Sequence, residues 1–289
     1  MVKTLSQLYL DARKALLAAE DMQTAGFYAR NLVCHFTGRT PEQFLTQQGI
    51  YANEESCAKV EDGVSRLLAG EPLAYILGQW EFYGVNLIVD KNVLIPRDDT
   101  CPVTDLAIRF ASQLQAPRVL DLCTGSGCIG LAIAKNVPQA RVVLADISPA
   151  AMVIAKRNVI GNRLSSRVAC VSADALSDPP AILGEFDLIV SNPPYITTEE
   201  MTQLPDSVKN FEPHLALHGG DDGLMFYRAI AKNYQKILKP GGGLCFEFGM
   251  GQGNDVCRIL ENNMYTILDR TSDYNTIERA VLAQYARKD

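Results

Sequence analysis

The chain reads as an α/β protein, a mainly parallel sheet covered by helices on both faces and preceded by a small helical bundle. Three observations predict this. From about residue 101, short apolar runs alternate with segments of helical periodicity, as in a parallel sheet with crossover helices. Before about residue 75, apolar residues recur at helical spacing. Between these parts, residues 76–90 are rich in aromatic and β-branched side chains punctuated by glycine.

The N-terminal part is built first. Leu5, Leu8, Tyr9, Ala12 and Leu16 mark one helix. Thr40-Pro41-Glu42-Gln43 predicts a helix start, with Thr40 as N-cap, Pro41 in the first turn and Gln43 closing a capping box. Asn53-Glu54-Glu55 opens another helix, with Cys57, Val60, Val64, Leu67 and Leu68 on one face. Periodicity alone leaves two readings open here, a bundle that only packs and one that recognises a partner. Ile76, Trp80, Phe82, Tyr83, Val85, Leu87 and Val89, with Gly78 and Gly84, predict a β-hairpin.

In the remainder, strands are expected at 118–122, 141–145, 168–171, 186–191, 243–248 and 265–269. Helices are expected at 102–114, 128–136, 149–160, 223–238 and 253–263. The expected organisation is a helical domain at 1–75, a hairpin linker at 76–100 and an α/β domain at 101–289. In such a sheet, ligands bind at the carboxyl ends of the strands.

Composition narrows the function classes. The 289 residues are 47% apolar and 21% charged, with a formal net charge of -6. This gives no indication of a strongly basic nucleic-acid-binding domain and leaves only a local basic patch open. No apolar run approaches membrane-spanning length, and Met1–Asp11 lacks the apolar core of a signal peptide. The eight cysteines, at 34, 57, 101, 123, 128, 170, 245 and 257, form no Cys-x-x-Cys pair. Reduced thiols in a cytoplasmic protein are expected. His214 and His218 lack a third ligand, and no metal site is expected.

The most informative motif is Asn192-Pro193-Pro194-Tyr195, directly after the apolar run Phe186–Ser191. It puts a carboxamide, backbone carbonyls and an aromatic ring at a strand end. Neither proline has an N–H, so the backbone there offers acceptors only. Asn192 Oδ1 and the Pro193 carbonyl can grip the two N–H bonds of a planar amino group, while Tyr195 packs on its flat face. A planar, poorly basic NH2 group is a poor nucleophile, so catalysis on it is mostly positioning and desolvation.

A second motif, Asp121-Leu122-Cys123-Thr124-Gly125-Ser126-Gly127, ends the first strand and opens a helix. With Gly130 it also fits the dinucleotide pattern G-x-G-x-x-G, which by itself leaves a nicotinamide cofactor open. Asp121 sits where it can reach a cationic amino-acid group through water or backbone. Asp146 ends the next strand and can accept from ribose hydroxyls, and Asp174 follows the third, within reach of an adenine amino group. Asn192-Pro193-Pro194-Tyr195, on the fourth, has no role in hydride transfer. Lys239-Pro240-Gly241-Gly242 reads as a helix-to-strand turn.

Together these motifs resemble the release factor glutamine methyltransferases, the family often called PrmC or HemK. The similarity covers nearly the whole chain. It includes Gly70-Glu71-Pro72-Leu73-Ala74-Tyr75-Ile76-Leu77-Gly78 with Phe82 and Gly84, and Leu94-Ile95-Pro96-Arg97. It continues through the glycine-rich loop, Asn192–Tyr195, Phe211-Glu212-Pro213, Glu247-Phe248-Gly249 with Gln252, and Asp273-Tyr274 with Glu278-Arg279. The tetrapeptide alone is shared with amino-directed DNA methyltransferases.

The resemblance implies a Rossmann-like seven-stranded class I methyltransferase domain, preceded by a small helical bundle domain that recognises substrate and a β-hairpin linker. It implies S-adenosylmethionine as methyl donor, with S-adenosylhomocysteine as product. The implied substrate is the glutamine amide nitrogen (N5) in the Gly-Gly-Gln motif of bacterial class I peptide release factors. A monomer with no nucleic-acid or membrane partner is expected.

By the same resemblance, Arg97, Thr100, Asp121, Cys123, Thr124, Gly125, Ser126, Gly127, Asp146, Ile147, Asp174, Ala175 and Asn192 would hold the cofactor. Asn192, Pro193, Pro194, Tyr195 and Glu212 would hold the glutamine. The family's Arg-Pro-acid-Thr-Glu run is here Arg97-Asp98-Asp99-Thr100-Cys101, so roles for Asp98 and Cys101 do not carry over. Cys123 replaces a glycine, which predicts a backbone without positive φ and a thiol near the cofactor. Ala175 replaces a bulkier residue, predicting an adenine pocket that is wider or filled from elsewhere. Two other readings compete: amino-directed methylation of nucleic acid such as N6-adenine, and a cofactor-binding adaptor whose helical domain acts.

Overall fold

The structure, a computed structural model, describes residues 2–286. The chain folds as two compact units, the first ending at Gly78 and the second beginning at Gln79. The first contains α1 (Leu5–Leu16), α2 (Met22–Thr37), α3 (Pro41–Thr46), α4 (Glu54–Leu68) and α5 (Leu73–Leu77). Thr4, Asp21, Thr40 and Asn53 cap the first four with their side chains. The predicted box is present: Gln43 N–H donates to Thr40 Oγ1 at 3.2 Å, and Thr40 N–H donates to Gln43 Oε1 at 3.0 Å.

Leu5, Leu8, Ala12 and Leu16 face the core of this unit. The inner face of α4 is Cys57, Val60, Gly63 and Val64, whereas Leu68, expected on that face, is exposed. At Gly63 a Cβ would lie 2.7 Å from Leu32 Cδ2, so its bare backbone lets α2 and α4 meet. Ile76, assigned to the hairpin from sequence, lies in α5 instead. Pro72 starts that helical turn, and Gly78, at φ 66°, ends it.

The second unit opens with the hairpin β1 (Gln79–Phe82) and β2 (Val85–Ile88). Its two-residue turn, Tyr83 and Gly84, has φ of 50° and 72°, matching the twist of paired strands. There follow α6 (Cys101–Ser112), β3 (Arg118–Leu122), α7 (Cys128–Asn136), β4 (Arg141–Asp146), α8 (Pro149–Gly161), β5 (Val168–Ser172) and β6 (Phe186–Ser191). Then come α9 (Asp206–Lys209), α10 (Met225–Asn233), β7 (Leu238–Glu247), α11 (Gly253–Asn262), β8 (Tyr265–Ser272) and β9 (Glu278–Tyr285).

The seven-stranded sheet has the order β5-β4-β3-β6-β7-β9-β8. Its strands are parallel except β9, which runs antiparallel to both neighbours. β9 has no counterpart among the strands predicted from residue pattern. Its polar start, Glu278-Arg279, conceals the fully buried Ala280, Val281 and Ala283. The helix expected over 223–238 stops at Asn233, tightens through Tyr234–Ile237, and Leu238 already pairs with Phe186. The expected turn at Lys239–Gly242 is a bulge within β7, since Leu188 next pairs with Gly243.

Side chains of α7 and α8 tie the hairpin to the sheet domain, Asn158 most extensively. Asn158 of α8 is 1% exposed. Its Nδ2 donates to the carbonyls of Ile88 at 3.0 Å and Ser126 at 2.8 Å, and its Oδ1 accepts from Ile88 N–H at 2.6 Å. Lys135 Nζ adds a bond to the Gly84 carbonyl. Asn158→Ala would strand these groups, at a cost of roughly 1–3 kcal/mol. A melting curve should show Tm lower by several degrees. An unchanged Tm would mean that the hairpin is held by other contacts.

Candidate functional site

The site follows from the strand order. β3 lies between β4 and β6, so successive connections leave it in opposite directions and open a crevice at the strand ends. The loop after β3 turns there with Cys123, Gly125 and Gly127 at φ of 60°, 54° and 86°. Cys123 thus corrects the sequence expectation. The chain must turn left-handed directly after β3, and it does so on a residue with a Cβ, at a cost of about 1–2 kcal/mol. Burial pushes the Cys123 thiol up, with Asp146 adding to the effect.

Asp121 braces this loop from below. It is 1% exposed. Its Oδ2 accepts from Thr124 Oγ1 at 2.6 Å and Gly130 N–H at 2.8 Å, and its Oδ1 has no partner. Burial pushes this carboxyl up to about 7, against the pull of those two bonds. A Cβ on Gly130 would lie 2.3 Å from Leu144 Cδ2 and 2.9 Å from Asp121 Oδ2, so only glycine lets the helix start approach the carboxylate. Asp146, at the tip of β4, accepts from Gly125 N–H and Ser148 N–H, both at 2.9 Å. Burial raises its carboxyl too. Asp174 accepts from Leu176 N–H at 2.9 Å and Ser177 Oγ at 2.7 Å.

At the end of β6, Ser191 donates to the Leu122 carbonyl at 2.6 Å, joining the two central strands where they stop. The tetrapeptide that follows is held from outside, because its prolines cannot donate. Gln252 accepts from Gly249 N–H at 2.9 Å and donates to the Tyr195 carbonyl at 3.0 Å. Gly219 and Gly223 press against it: a Cβ on Gly219 would lie 2.7 Å from the Pro194 carbonyl oxygen, and one on Gly223 2.3 Å from that of Tyr195. Neither glycine was singled out from sequence. The close packing that needs them appears only when the chain returns to the strand end.

Two cavities meet here. The first is lined by Thr100, Cys123, Thr124, Gly125, Ser126, Asp146, Ile147, Asp174, Ala175, Asn192 and Pro194 among the predicted residues. Pro213, Leu215, Ala216 and Phe226 add an apolar wall that residue pattern did not indicate, so other side chains border the space beside Ala175. The second cavity is lined by Arg97, Thr100, Asn192, Tyr195 and Glu247 among others. Leu94, Thr100, Asn192 and Ala216 line both. Asp121, Gly127, Pro193 and Glu212 line neither.

The electrostatics of the second cavity are set by buried acids. Glu212 is 4% exposed, and its carboxylate binds Arg97 through both oxygens and accepts from Ile95 N–H at 3.2 Å. Glu212 therefore supports the cavity wall from behind. Asn192 Nδ2 makes a long, 3.4 Å contact to Thr100 Oγ1, which leaves Oδ1 as the free acceptor. Burial raises the Tyr195 phenol, with Glu247 nearby adding to the effect.

The first cavity joins a carboxylate to apolar walls. Asp146 presents a carboxylate at its floor, Ile147 and Phe226 supply apolar walls, and Gly125 has no heavy atom within 4 Å of a built Cβ. The Ser126 hydroxyl is buried without a partner. Fold and site together define a class I methyltransferase.

Comparison with known proteins carries this further. A family model described as "Methyltransferase small domain" matches residues 103–211, and one described as "PrmC N-terminal domain" matches residues 7–78. The chain is 38% identical over 280 residues to the release factor glutamine methyltransferase of Geobacter sulfurreducens, covering 94% of each chain. It is 39% identical over 239 residues to that of Clostridium acetobutylicum, covering 83% of this chain and 84% of the other. A methyltransferase structure from Pyrococcus furiosus shares the fold, with a TM-score of 0.52 at 16% identity, over 78% of this chain and 100% of that one. The chain belongs to the release factor glutamine methyltransferase family.

Gly223→Ala should drive its methyl into the Tyr195 carbonyl and strain a residue at φ 70°. A loss on the order of 1–3 kcal/mol is expected, read as a lower Tm. A variant as stable as the wild type would show that the tetrapeptide is not clamped from this side.

Proposed function

We propose that this enzyme methylates the side-chain amide nitrogen (N5) of the glutamine in the Gly-Gly-Gln motif of bacterial class I peptide release factors. It uses S-adenosylmethionine and acts in the cytoplasm as a monomer. One observation carries the reading: Asn192 and Thr100, with Leu94 and Ala216, line two adjoining cavities, which would take the cofactor and the acceptor. Membership of the family supplies the substrate class. The acidic balance of the chain, -6, speaks against the nucleic-acid alternative. No helix among the described residues is long and apolar enough to cross a membrane.

The cofactor would supply a methyl group already activated on a sulfonium. The protein's part is to hold and orient. Asp146 would accept from the ribose hydroxyls, and Asp174 and Ala175 would border the base. The loop from Cys123 to Gly127 would take the amino-acid tail, with Asp121 keeping that loop in shape from behind. Arg97 would act at the neighbouring wall through its pair with Glu212. On the acceptor side, Asn192 Oδ1 and the Pro193 carbonyl would take the two N–H bonds of the glutamine amide. Tyr195 would cover its face and keep water out. Residues 1–75 would present the release factor, and residues 76–100 would join them to the catalytic domain.

Asn192→Ala should lower methyl transfer to a purified release factor by 100-fold or more, as expected when a positioning contact at the reacting atom is lost. Affinity for S-adenosylmethionine, measured by calorimetry, should change much less. Labelled cofactor offered with release factor, DNA or RNA should label the Gly-Gly-Gln glutamine, seen as one added methyl by mass spectrometry. Label in nucleic acid alone, or near-normal turnover by the variant, would overturn this assignment.

A further inference from the structure

Glu247 closes β7 at the wall of the second cavity, and the roles above leave it without one. It is 2% exposed, and its Oε2 has no hydrogen-bond partner. A buried polar atom left unpaired is costly unless something that binds there completes it. Thr100, which receives the Asn192 Nδ2 contact, lines the same cavity as Glu247. Glu247 and Asn192 thus face one space with Thr100.

A primary carboxamide carries two N–H donors and one carbonyl acceptor. Asn192 Oδ1 and the Pro193 carbonyl match the donors, and the carbonyl oxygen remains to be matched. The cations nearest Glu247 are already engaged: Arg97, on the cavity lining, with Glu212, and Arg279, behind it, with Asp99 and Asp273. We propose, building on the function given above, that neutral Glu247 donates from Oε2 to the carbonyl oxygen of the acceptor glutamine. This completes a three-point template for a primary amide.

The surroundings fit a neutral acid. Burial pushes the Glu247 carboxyl up to about 8, opposed by Thr100, Arg279 and Arg97 and assisted by Asp99. Cys101, Cys128, Tyr195 and Tyr227 also face it, each pushed up by burial and so uncharged near neutrality. Below about pH 8 the acid can donate. Above that pH it ionises, loses the donor and repels the amide oxygen.

The test is steady-state methylation of a purified class I release factor from pH 6.5 to 9.5 by wild type, Glu247→Gln and Glu247→Ala. Cofactor affinity and Tm serve as folding controls. Wild-type kcat/KM should fall above about pH 8 through a rising KM for the release factor. Glu247→Gln keeps a donor that does not titrate, so it should stay within about threefold of wild type at pH 7.5 and lose the alkaline fall. Glu247→Ala should raise KM roughly 10- to 100-fold, the loss expected from one buried hydrogen bond. An unaffected Glu247→Ala, a Glu247→Gln as impaired as the alanine variant, or an alkaline fall retained in Glu247→Gln would each overturn the proposal. Wild-type enzyme that fails to methylate the release factor at all would instead sink the function on which it rests.

Discussion

β3 and β6 run side by side in register at the centre of the sheet, Leu122 opposite Ser191, and both stop at the same level. The site depends on this one alignment. From β3 the chain turns sharply into α7, whose first turn packs closely on Asp121 and Leu144. From β6 it runs into two prolines that cannot continue the ladder. A slip of one residue in this pair would reverse which side chains face each layer and separate the loop from the tetrapeptide. The Ser191 hydroxyl on the Leu122 carbonyl secures the register where the pairing ends.

Holding a strand end rich in acceptors has consequences beyond the strand. The Asn192–Tyr195 segment cannot brace itself with its own proline nitrogens, so other parts of the chain supply the contacts. Gln252 reaches from the start of α11, Ile196 N–H donates to the Leu217 carbonyl at 2.9 Å, and Gly219 N–H returns a bond to Ile196 at 2.8 Å. Each comes from sequence 20 or more residues away. Phe211-Glu212-Pro213 enters the same construction, since Glu212 takes Arg97 and the Ile95 N–H and joins the segment after the hairpin to the one after α9.

Much of this was legible in the sequence, for identifiable reasons. β3, β6 and α7 announce themselves because their apolar runs are fully buried and their ends carry glycine or proline. The acids at strand ends could be placed because a strand end in a parallel sheet is a fixed position. β9 could not be read from pattern, because an antiparallel strand inserted between β7 and β8 has no crossover helix to mark it. Asn158, Gly219 and Gly223 were not legible either, since each matters through a contact more than 20 residues distant. Cys123 was misjudged for a related reason. A glycine substituted in a tight turn suggests a relaxed backbone, but the turn is set by β3 and α7, and the substituted residue takes on the strain.

The buried acids show how one fold assigns different electrostatic tasks to similar groups. Glu212 lies against a guanidinium, and Asp273 takes Arg279 at 2.9 Å with two backbone N–H groups. Asp121 and Glu247 are as deeply buried but have no cation in direct contact, and both are pushed toward the neutral form. Arg279 decides much of this arrangement. It stands on β9 with its carbonyl accepting from Phe248 N–H, next to Glu247, yet its guanidinium turns to Asp99 and Asp273. That choice anchors the segment carrying Thr100 to the last hairpin of the sheet and leaves the acid at the end of β7 without an ion pair. The C-terminal strand therefore shapes the second cavity without lining it.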